Sequence, residues 1–267
     1  MSPAPALTWV VVSYGGVDDA RGLVASLGPD APVDIVLCAN KPGDTAAARA
    51  AFGDDPRVRV LDFEDNPGYL PALHRALPEV DPALPLVLSN CDLVADPGCV
   101  AALLDGVAQH PDAGWLAPSV LGALGQDQNP NLLHPPSARR LRLLAAAHRF
   151  PAVADLFLLR RGGHSSRTVS GVEPGAAVFA GHGSCVVLTP RYLAAGGRTD
   201  YPFALFGEEL WFASECERLG LAVRYLPSAV LRHAEHVATG RRRRGHVARV
   251  KYEGLRWWAR RAAQAGW

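Results

Sequence analysis

The chain has 267 residues, of which 49% are hydrophobic and 20% are charged, and its formal net charge is +1. This length and apolar content suit one large domain, or one domain with a lobe, and exclude wholesale disorder. The net charge gives no argument for nucleic-acid binding, and no apolar run approaches the roughly 20 residues that span a bilayer.

The five cysteines include no Cys-x-x-Cys pair, and the first apolar run, LTWVVVSY, has no basic flank. Reduced thiols and the absence of a signal peptide are therefore expected, which predicts a cytoplasmic protein.

Short apolar runs alternate with helical patterns along the first part of the chain. The predicted strands cover residues 8–12, 33–38, 58–61 and 84–88, and the predicted helices cover 18–27, 45–52, 70–77 and 97–108. Continuous apolar strands that alternate with helices predict an α/β fold with a mostly parallel central sheet flanked by helices.

The middle of the chain, residues 121–176, is rich in Pro, Gly, Asn, Arg and His. We predict a mobile excursion or an acceptor-side lobe there, with a helix near 141–159. Order then returns, with predicted strands 185–188, 222–225 and 229–232 and predicted helices 191–195, 209–219 and 241–263. The last helix is basic and amphipathic.

Ligands bind outside the carboxyl ends of the strands in sheets of this kind. The loops SYGG, CANKPGD and SNCD all leave such ends and are expected to converge on one crevice. The chain lacks the G-x-G-x-x-G and G-x-x-x-x-G-K-[ST] motifs, which disfavours hydride transfer and P-loop chemistry.

Four polar groups stand at the tips of predicted elements: Asn90–Asp92, Ala180–Ser184, the pair Glu208 and Glu209, and His233. Each also has a purely structural interpretation. Asp92 resembles a helix cap placed somewhat early, and glutamates at a helix start complement the helix dipole for about 0.3–1 kcal/mol. A histidine at a strand end is most often simply hydrogen-bonded.

Taken together, the segments DNPGYLPALHRAL, LVLSNCDLVADPGCVAALL, FAGHGSCVVLTPRYLAAGG and FGEELWFASECERLGLAVRYLPSAVLRH resemble family 2 inverting glycosyltransferases. The similarity is to the rhamnosyltransferase-like branch that decorates bacterial polysaccharides and natural products. Each motif alone is weak, whereas four in this order, over roughly residues 8–236, are specific.

The resemblance implies a GT-A fold with a Rossmann-like nucleotide-binding half and an acceptor half. A glycosyltransferase domain is expected at 1–240, divided into a nucleotide-sugar-binding half, 1–118, and an acceptor and catalytic half, 119–240. The variable insertion is 121–176, and 241–267 is the basic C-terminal helix.

The resemblance also implies a nucleotide-diphosphate sugar donor, a hydroxyl-bearing acceptor and bound Mn²⁺ or Mg²⁺. Glu209 matches the catalytic base, with Glu208 beside it, and Asp92 and His233 match the metal ligands. The donor-binding candidates are Ser13, Tyr14, Asn40, Asn66, Asn90, Asp92, Gly181 and His182.

The chemistry of glycosyl transfer requires these residue types independently. A hydroxyl is a poor nucleophile, so a carboxylate must accept its proton, and a cation stabilises the departing diphosphate. The pattern departs from the family at Asn90, where an acidic residue is usual, at Glu209, where aspartate is usual, and at Ala39 and Asn40, where an aspartate reads the nucleobase.

Two other functions remain open on the residues alone. A nucleotidyltransferase would need a glycine-rich, basic loop after the first strand, where SYGGVDD is acidic. A non-catalytic or metal-independent sugar-nucleotide-binding protein would explain the single carboxylate of Asn90–Asp92. For the basic tail, we expect either a helix packed on the domain or contact with an anionic membrane through Arg249, Arg256 and Arg260.

Overall fold

A computed structural model describes residues 4–149, 171–234 and 244–267, without the side chains of residues 244–246. Parts of three predicted features therefore lie outside the described residues: the helix near 141–159, the end of the matched segment after residue 234, and the arginine run at 241–243.

The described strands form a single sheet. They are β1 (Leu7–Ser13), β2 (Val33–Ala39), β3 (Val58–Asp62), β4 (Leu86–Asn90), β5 (Leu93–Ala95), β6 (Ala113–Leu121), β7 (Ala177–Val178), β8 (Cys185–Leu188) and β9 (Ala222–His233). The helices are α1 (Val17–Ser26), α2 (Asp44–Phe52), α3 (Tyr69–Ala76), α4 (Cys99–Gln109), α5 (Ala138–Arg149), α6 (Pro190–Ala194), α7 (Glu208–Leu219) and α8 (Arg244–Ala265).

The strand order is β3-β2-β1-β4-β8-β6-β9-β5, and β7 pairs with β9. Strands β1 to β4 are parallel to one another, as predicted. In the second half β8 runs antiparallel to both β4 and β6, whereas β6 and β9 are parallel. The sheet is therefore mixed, and the predicted parallel arrangement describes only strands β1 to β4.

The two longest strands, β6 and β9, each contain a proline, and the sequence pattern did not predict either strand in full. We expected strands at 222–225 and 229–232, but β9 is continuous, and its Pro227 lies within a register shift against Pro118 and Ser119 of β6. A ladder needs no backbone N–H at such an irregularity, so both prolines are tolerated in the interior of the sheet. The whole of β6 was missed for the same reason.

Hydrophobic side chains cover both faces of the sheet. Along β1, Val10 and Val12 join one cluster while Trp9 and Val11 join the other. This alternation follows from the period of two along a strand and explains why β1 is apolar throughout.

The C-terminal helix α8 is packed onto the domain. Trp258 is 1% exposed, and its Nε1–H donates to the Tyr201 hydroxyl oxygen at 3.2 Å. The Tyr201 hydroxyl in turn donates to the Phe206 carbonyl oxygen at 2.7 Å. Helix α8 therefore supports the turn that begins α7, in agreement with the packed alternative for the basic tail.

Candidate active site

A short loop before β8, residues 182–184, connects several elements of the site. The Ser184 carbonyl accepts from the Asn90 backbone N–H at 2.9 Å, at the end of β4. The Gly183 carbonyl accepts from the Tyr69 hydroxyl of α3 at 2.9 Å, and the Gly183 N–H donates to Glu209 Oε1 at 3.3 Å. This loop thus joins β4, α3 and α7.

The two predicted carboxylates stand in the first turn of α7. Two residues with left-handed backbone precede them, Phe206 with φ +64° and Gly207 with φ +99°. A Cβ at Gly207 would lie 2.4 Å from the Tyr201 hydroxyl oxygen, so only glycine fits this turn. The turn points both glutamates at the 182–184 loop.

Gly183 lies within the predicted segment Ala180–Ser184 but was not itself among the predicted site residues. A Cβ there would lie 2.5 Å from Glu208 Cγ and 2.9 Å from Glu209 Oε1. A side chain at this position would therefore displace the carboxylates. The glycines of the segment AGHGS indicate a close approach to the carboxylates only once the position of this segment opposite α7 is known.

The surroundings of Glu208 and Glu209 raise the pKa values of both carboxyl groups. Burial, followed by the neighbouring charge of Glu209, raises the pKa of Glu208 to about 8. Burial also raises the pKa of Glu209, against the opposing effect of backbone N–H groups and of Lys251. A carboxyl group that titrates near neutral pH can accept a proton at working pH, as a general base does.

Asp92 and His233 lie side by side, although they are far apart in the chain. Leu93 of β5 is paired with His233 of β9, and the Ala234 N–H donates to the Asp92 carbonyl at 3.0 Å. His233 Nε2 lies 3.3 Å from Asp92 Oδ1, and Asp92 is 8% exposed. Antiparallel pairing of β5 with β9 therefore creates this carboxylate–imidazole pair.

The donor atoms of this pair suit a divalent cation in part. Within the described residues, no group of three or more His, Cys, Asp and Glu side chains is arranged to hold a metal. One carboxylate oxygen and one imidazole nitrogen fit an ion whose remaining ligands come from substrate phosphates, as is common for Mg²⁺ sites.

Two amide residues, Gln128 and Asn129, contact the two histidines of the site, His233 and His182. Gln128 Oε1 lies 3.3 Å from His233 Nδ1, and Asn129 Oδ1 accepts the His182 backbone N–H at 2.7 Å. Asn129 Nδ2 donates to the Pro118 carbonyl at 2.6 Å. Both residues fall in the polar segment 121–176, where no periodicity identified them.

His182 is brought to the same place, with its ring centroid 6.0 Å from that of His233. Its Nδ1 accepts from the Ser184 N–H at 3.2 Å. Burial, followed by the charge of His233, lowers the pKa of His182 to about 4, so its imidazole is neutral at physiological pH. Gly181 instead packs closely, because a Cβ there would lie 2.7 Å from that of Ala117.

The first-half candidates form one adjoining group at the carboxyl ends of β1 and β2. The Asn40 N–H donates to the Ser13 carbonyl at 2.8 Å, and Asn40 Nδ2 donates to the Gly68 carbonyl at 2.9 Å. Gly68 lies two residues after Asn66, whose φ is +51°, in the segment that leads into α3. Tyr14 is 38% exposed beside this group.

This group adjoins the 90–92 segment. Val12 of β1 is paired with Asn90 of β4, so Ser13 and Cys91 follow at the ends of neighbouring strands. The predicted site residues of the two halves therefore lie along one edge of the sheet.

Sequence comparison finds a relative in Mycobacterium tuberculosis, N-acetylglucosaminyl-diphospho-decaprenol L-rhamnosyltransferase. The two are 26% identical over 252 residues, which cover 90% of this chain and 79% of the relative. No protein-family profile matches the chain.

Structural comparison finds S. aureus TarS 1-349 in complex with UDP-GlcNAc, with a TM-score of 0.56 at 11% identity, covering 89% of this chain and 60% of that one. GalNAc-T7 with UDP, GalNAc and Mn²⁺ gives a TM-score of 0.58 at 13% identity, covering 89% of this chain and 45% of that one. The chain thus spans less than two thirds of both solved structures.

These structures define the class: the chain has the GT-A fold of glycosyltransferases. The sequence relative adds the particular relationship, because it is a rhamnosyltransferase aligned over most of both chains. The predicted resemblance is therefore confirmed, because the chain is similar to a rhamnosyltransferase in sequence and has the fold of glycosyltransferases.

The raised pKa of Glu208 predicts a cost in stability at high pH. Below the ordinary pKa of 4.5 the carboxyl is neutral in both the folded and unfolded states. As the pH rises towards 8, only the unfolded state ionises freely, so stability falls. We expect Glu208→Gln to raise the free energy of unfolding near pH 8 by about 1 kcal/mol or more.

Urea unfolding at several pH values checks this expectation, with Glu173→Gln as the control because Glu173 is exposed. The difference between wild type and Glu208→Gln should shrink as the pH falls towards 4.5. A constant difference at every pH would show that ionisation of Glu208 is not its source.

Proposed function

We propose that the chain transfers a sugar from a nucleotide-diphosphate sugar to an acceptor hydroxyl with inversion, and that Glu209 is the general base. The observation that carries this proposal is the carboxylate pair at the start of α7, which adjoins the 182–184 loop. In this loop the His182 ring lies 6.0 Å from the ring of His233, the partner of Asp92. The names of the relatives support the same reaction class.

The proposed reaction is a single displacement. The acceptor oxygen attacks the anomeric carbon while its proton moves to a carboxylate oxygen of Glu209. The bond from that carbon to the diphosphate oxygen breaks, and its electron pair leaves with the diphosphate. The Gly183 N–H, which donates to Glu209 Oε1 at 3.3 Å, holds the base in position. Because attack and departure occur on opposite faces, the configuration inverts.

For the leaving group, we propose that Asp92 and His233 hold Mn²⁺ or Mg²⁺ against the diphosphate. When bound, such an ion supplies Lewis-acid stabilisation of the negative charge on the diphosphate. The mixed oxygen and nitrogen donor set favours Mn²⁺. The structural relative GalNAc-T7 was crystallised with Mn²⁺.

On the donor side, we propose that the nucleotide contacts Ser13, Tyr14, Asn40 and Asn66. Support comes from Asn40, which is 2% exposed and whose Oδ1 has no hydrogen-bond partner among the described residues. A buried acceptor of this kind suits an N–H of a nucleobase. The remaining candidates for the diphosphate and sugar are Asn90, Asp92, Gly181 and His182.

The acceptor and the donor sugar are proposed by analogy with the relative. Its name specifies L-rhamnose as the transferred sugar and a decaprenol-linked N-acetylglucosamine as the acceptor. A rhamnosyl donor and a lipid-linked sugar acceptor are therefore the first pair of substrates to assay with this chain. We propose that the reaction belongs to the biosynthesis of a polysaccharide or natural product.

We also propose peripheral contact with an anionic membrane, which a lipid-linked acceptor would require. Helices α5 and α8 pack together, and their exposed arginines are Arg139, Arg140, Arg142, Arg149, Arg249, Arg256 and Arg260. Leu143, 63% exposed, lies among them. Each such cation near an anionic surface contributes about 1 kcal/mol. Among the described residues, no helix has the length and apolar character of a membrane span.

One observation favours an alternative, a metal-independent or non-catalytic sugar-nucleotide-binding protein. The segment Asn90–Asp92 contributes only one carboxylate, and one carboxylate binds a cation more weakly than two. A nucleotidyltransferase is less well supported, because the segment after β1 leads into a helix, α1, whose first turn carries Asp18 and Asp19 rather than basic residues.

Substitution of the proposed base tests the reaction directly. Glu209→Gln keeps the shape of the side chain but cannot accept the proton, so kcat should fall by about 100- to 10,000-fold. Donor binding, measured by isothermal titration calorimetry, should stay within about twofold. Glu173→Gln serves as the control, and retained turnover in Glu209→Gln would remove this residue from the role.

The metal proposal predicts that Asp92→Asn weakens Mn²⁺ binding at least about tenfold, because it removes the only carboxylate ligand. Electron paramagnetic resonance of free Mn²⁺, with the donor diphosphate present, gives the affinity without any turnover. Asp105→Asn, at an exposed position of α4, should bind as wild type does. Full turnover of the wild type in excess chelator would favour the metal-independent alternative.

The membrane proposal predicts co-sedimentation with phosphatidylglycerol vesicles at low salt and little with phosphatidylcholine vesicles. Combined Arg249→Gln, Arg256→Gln and Arg260→Gln should reduce the bound fraction at least about tenfold, because three cations are lost. Equal binding to both vesicle types, or none to either, would contradict it.

A further inference from the structure

Helix α8 presents one face to the turn that leads into the carboxylate pair. Lys251 Nζ lies 4.7 Å from the centroid of the Phe206 ring. Further along the same face, a Cβ at Gly254 would lie 3.9 Å from the Phe206 carbonyl oxygen, and Trp258 reaches that oxygen through Tyr201. Residues 251, 254 and 258 are spaced so that they lie on the same face of the helix, and this face of α8 packs against the turn before α7.

Lys251 brings a positive charge to the two glutamates. Its ammonium lowers the pKa of both Glu208 and Glu209, in opposition to burial. Burial lowers the pKa of Lys251 itself, whereas the charges of Glu209 and Glu208 raise it. The interaction is therefore reciprocal, as expected for a cation held close to an anionic pair.

Within the described part of the chain, the other groups whose pKa the glutamates or Lys251 shift are neutral at neutral pH. Burial first, and then the charges of the glutamates, raise the pKa values of Tyr69 on α3 and Tyr201 before α7, so both phenols are neutral. Burial lowers the pKa of His148 on α5, and Lys251 lowers it further. Asp92, whose charge also reaches Tyr69, adds negative charge.

We propose that Lys251 is a positioning residue that keeps the base of the carboxylate pair ionised, so that the C-terminal helix is part of the catalytic site. This inference rests on the proposed function, because it assumes that an ionised glutamate accepts the acceptor proton. The Phe206 ring and the packed face of α8 hold the ammonium in place. Transfer then depends on a residue far from the motifs that resemble other glycosyltransferases.

The pH dependence of transfer tests this role. Activity requires an ionised base, so kcat/KM falls on the acidic side with a midpoint set by the pKa of the free enzyme. Lys251→Met should move that midpoint upward by about one pH unit, which lowers kcat/KM about tenfold at pH values well below the wild-type midpoint and spares it at higher pH. Lys251→Arg, which keeps the charge, should move it back towards the wild-type position.

The control for net charge is Arg21→Met, an exposed position on α1, which should leave the profile unchanged. A merely structural role for Lys251 would lower activity by the same factor at every pH. That result, or an unchanged profile, would overturn the proposal. Circular dichroism verifies folding, and Lys251→Gln replaces the methionine variant if the latter does not fold.

A second measurement is independent of any transferase activity. Carbon-13 NMR of glutamate-labelled protein follows the carboxyl titrations, with Glu208→Gln and Glu209→Gln assigning the two signals. The midpoints of the pair should rise in Lys251→Met and not in Arg21→Met. If the wild type transfers no sugar but the midpoints rise, the proposed function fails while the electrostatic coupling stands. Unchanged midpoints refute the coupling itself.

Discussion

The close approach of two neighbouring carboxylates to the backbone of Gly183 is the constraint on which the site depends. Like charges in a poorly solvated place disfavour each other, so such a pair needs compensation from its surroundings. Here the compensation comes from the Gly183 N–H, from the first turn of α7 and from Lys251. The close approach of the carboxylates depends on glycine at 183, since a Cβ there would collide with the side chains of Glu208 and Glu209.

Strand pairing solves a second problem, which is to unite side chains that are remote along the chain. Because β5 runs antiparallel to β9 with Leu93 opposite His233, Asp92 reaches His233 without any dedicated loop. The 182–184 loop then connects this pair to the glutamates through His182 and Gly183. The polar segment after β6 completes the support with Gln128 and Asn129. The site is thus a product of sheet order more than of any one motif.

Sequence reasoning reached the parts of this arrangement that follow local rules. The first four strands and their parallel order follow from apolar runs alternating with helices. Asp92, Glu209 and His233 could be predicted as site candidates because they stand where strands end or helices begin. Pro118 and Pro227 concealed long strands, because local rules penalise proline inside a sheet and cannot foresee a register shift between two partners. Gln128, Asn129 and Lys251 were missed because their importance comes only from tertiary neighbours.

Helix α8 shows how stability and chemistry depend on the same contacts. Its Trp258 fills the core and supports Tyr201, which holds the Phe206 carbonyl, so the left-handed turn before Glu208 depends on helix packing. The residues at 206 and 207 have backbone angles that side chains disfavour, and such strain persists only where neighbours enforce it. Loosening of α8 would therefore release the turn at residues 206 and 207 and, at the same time, move the Lys251 ammonium away from the glutamates. Because the same helix also exposes arginines on its outer face, any surface that binds there acts on an element that packs against the turn before the carboxylate pair.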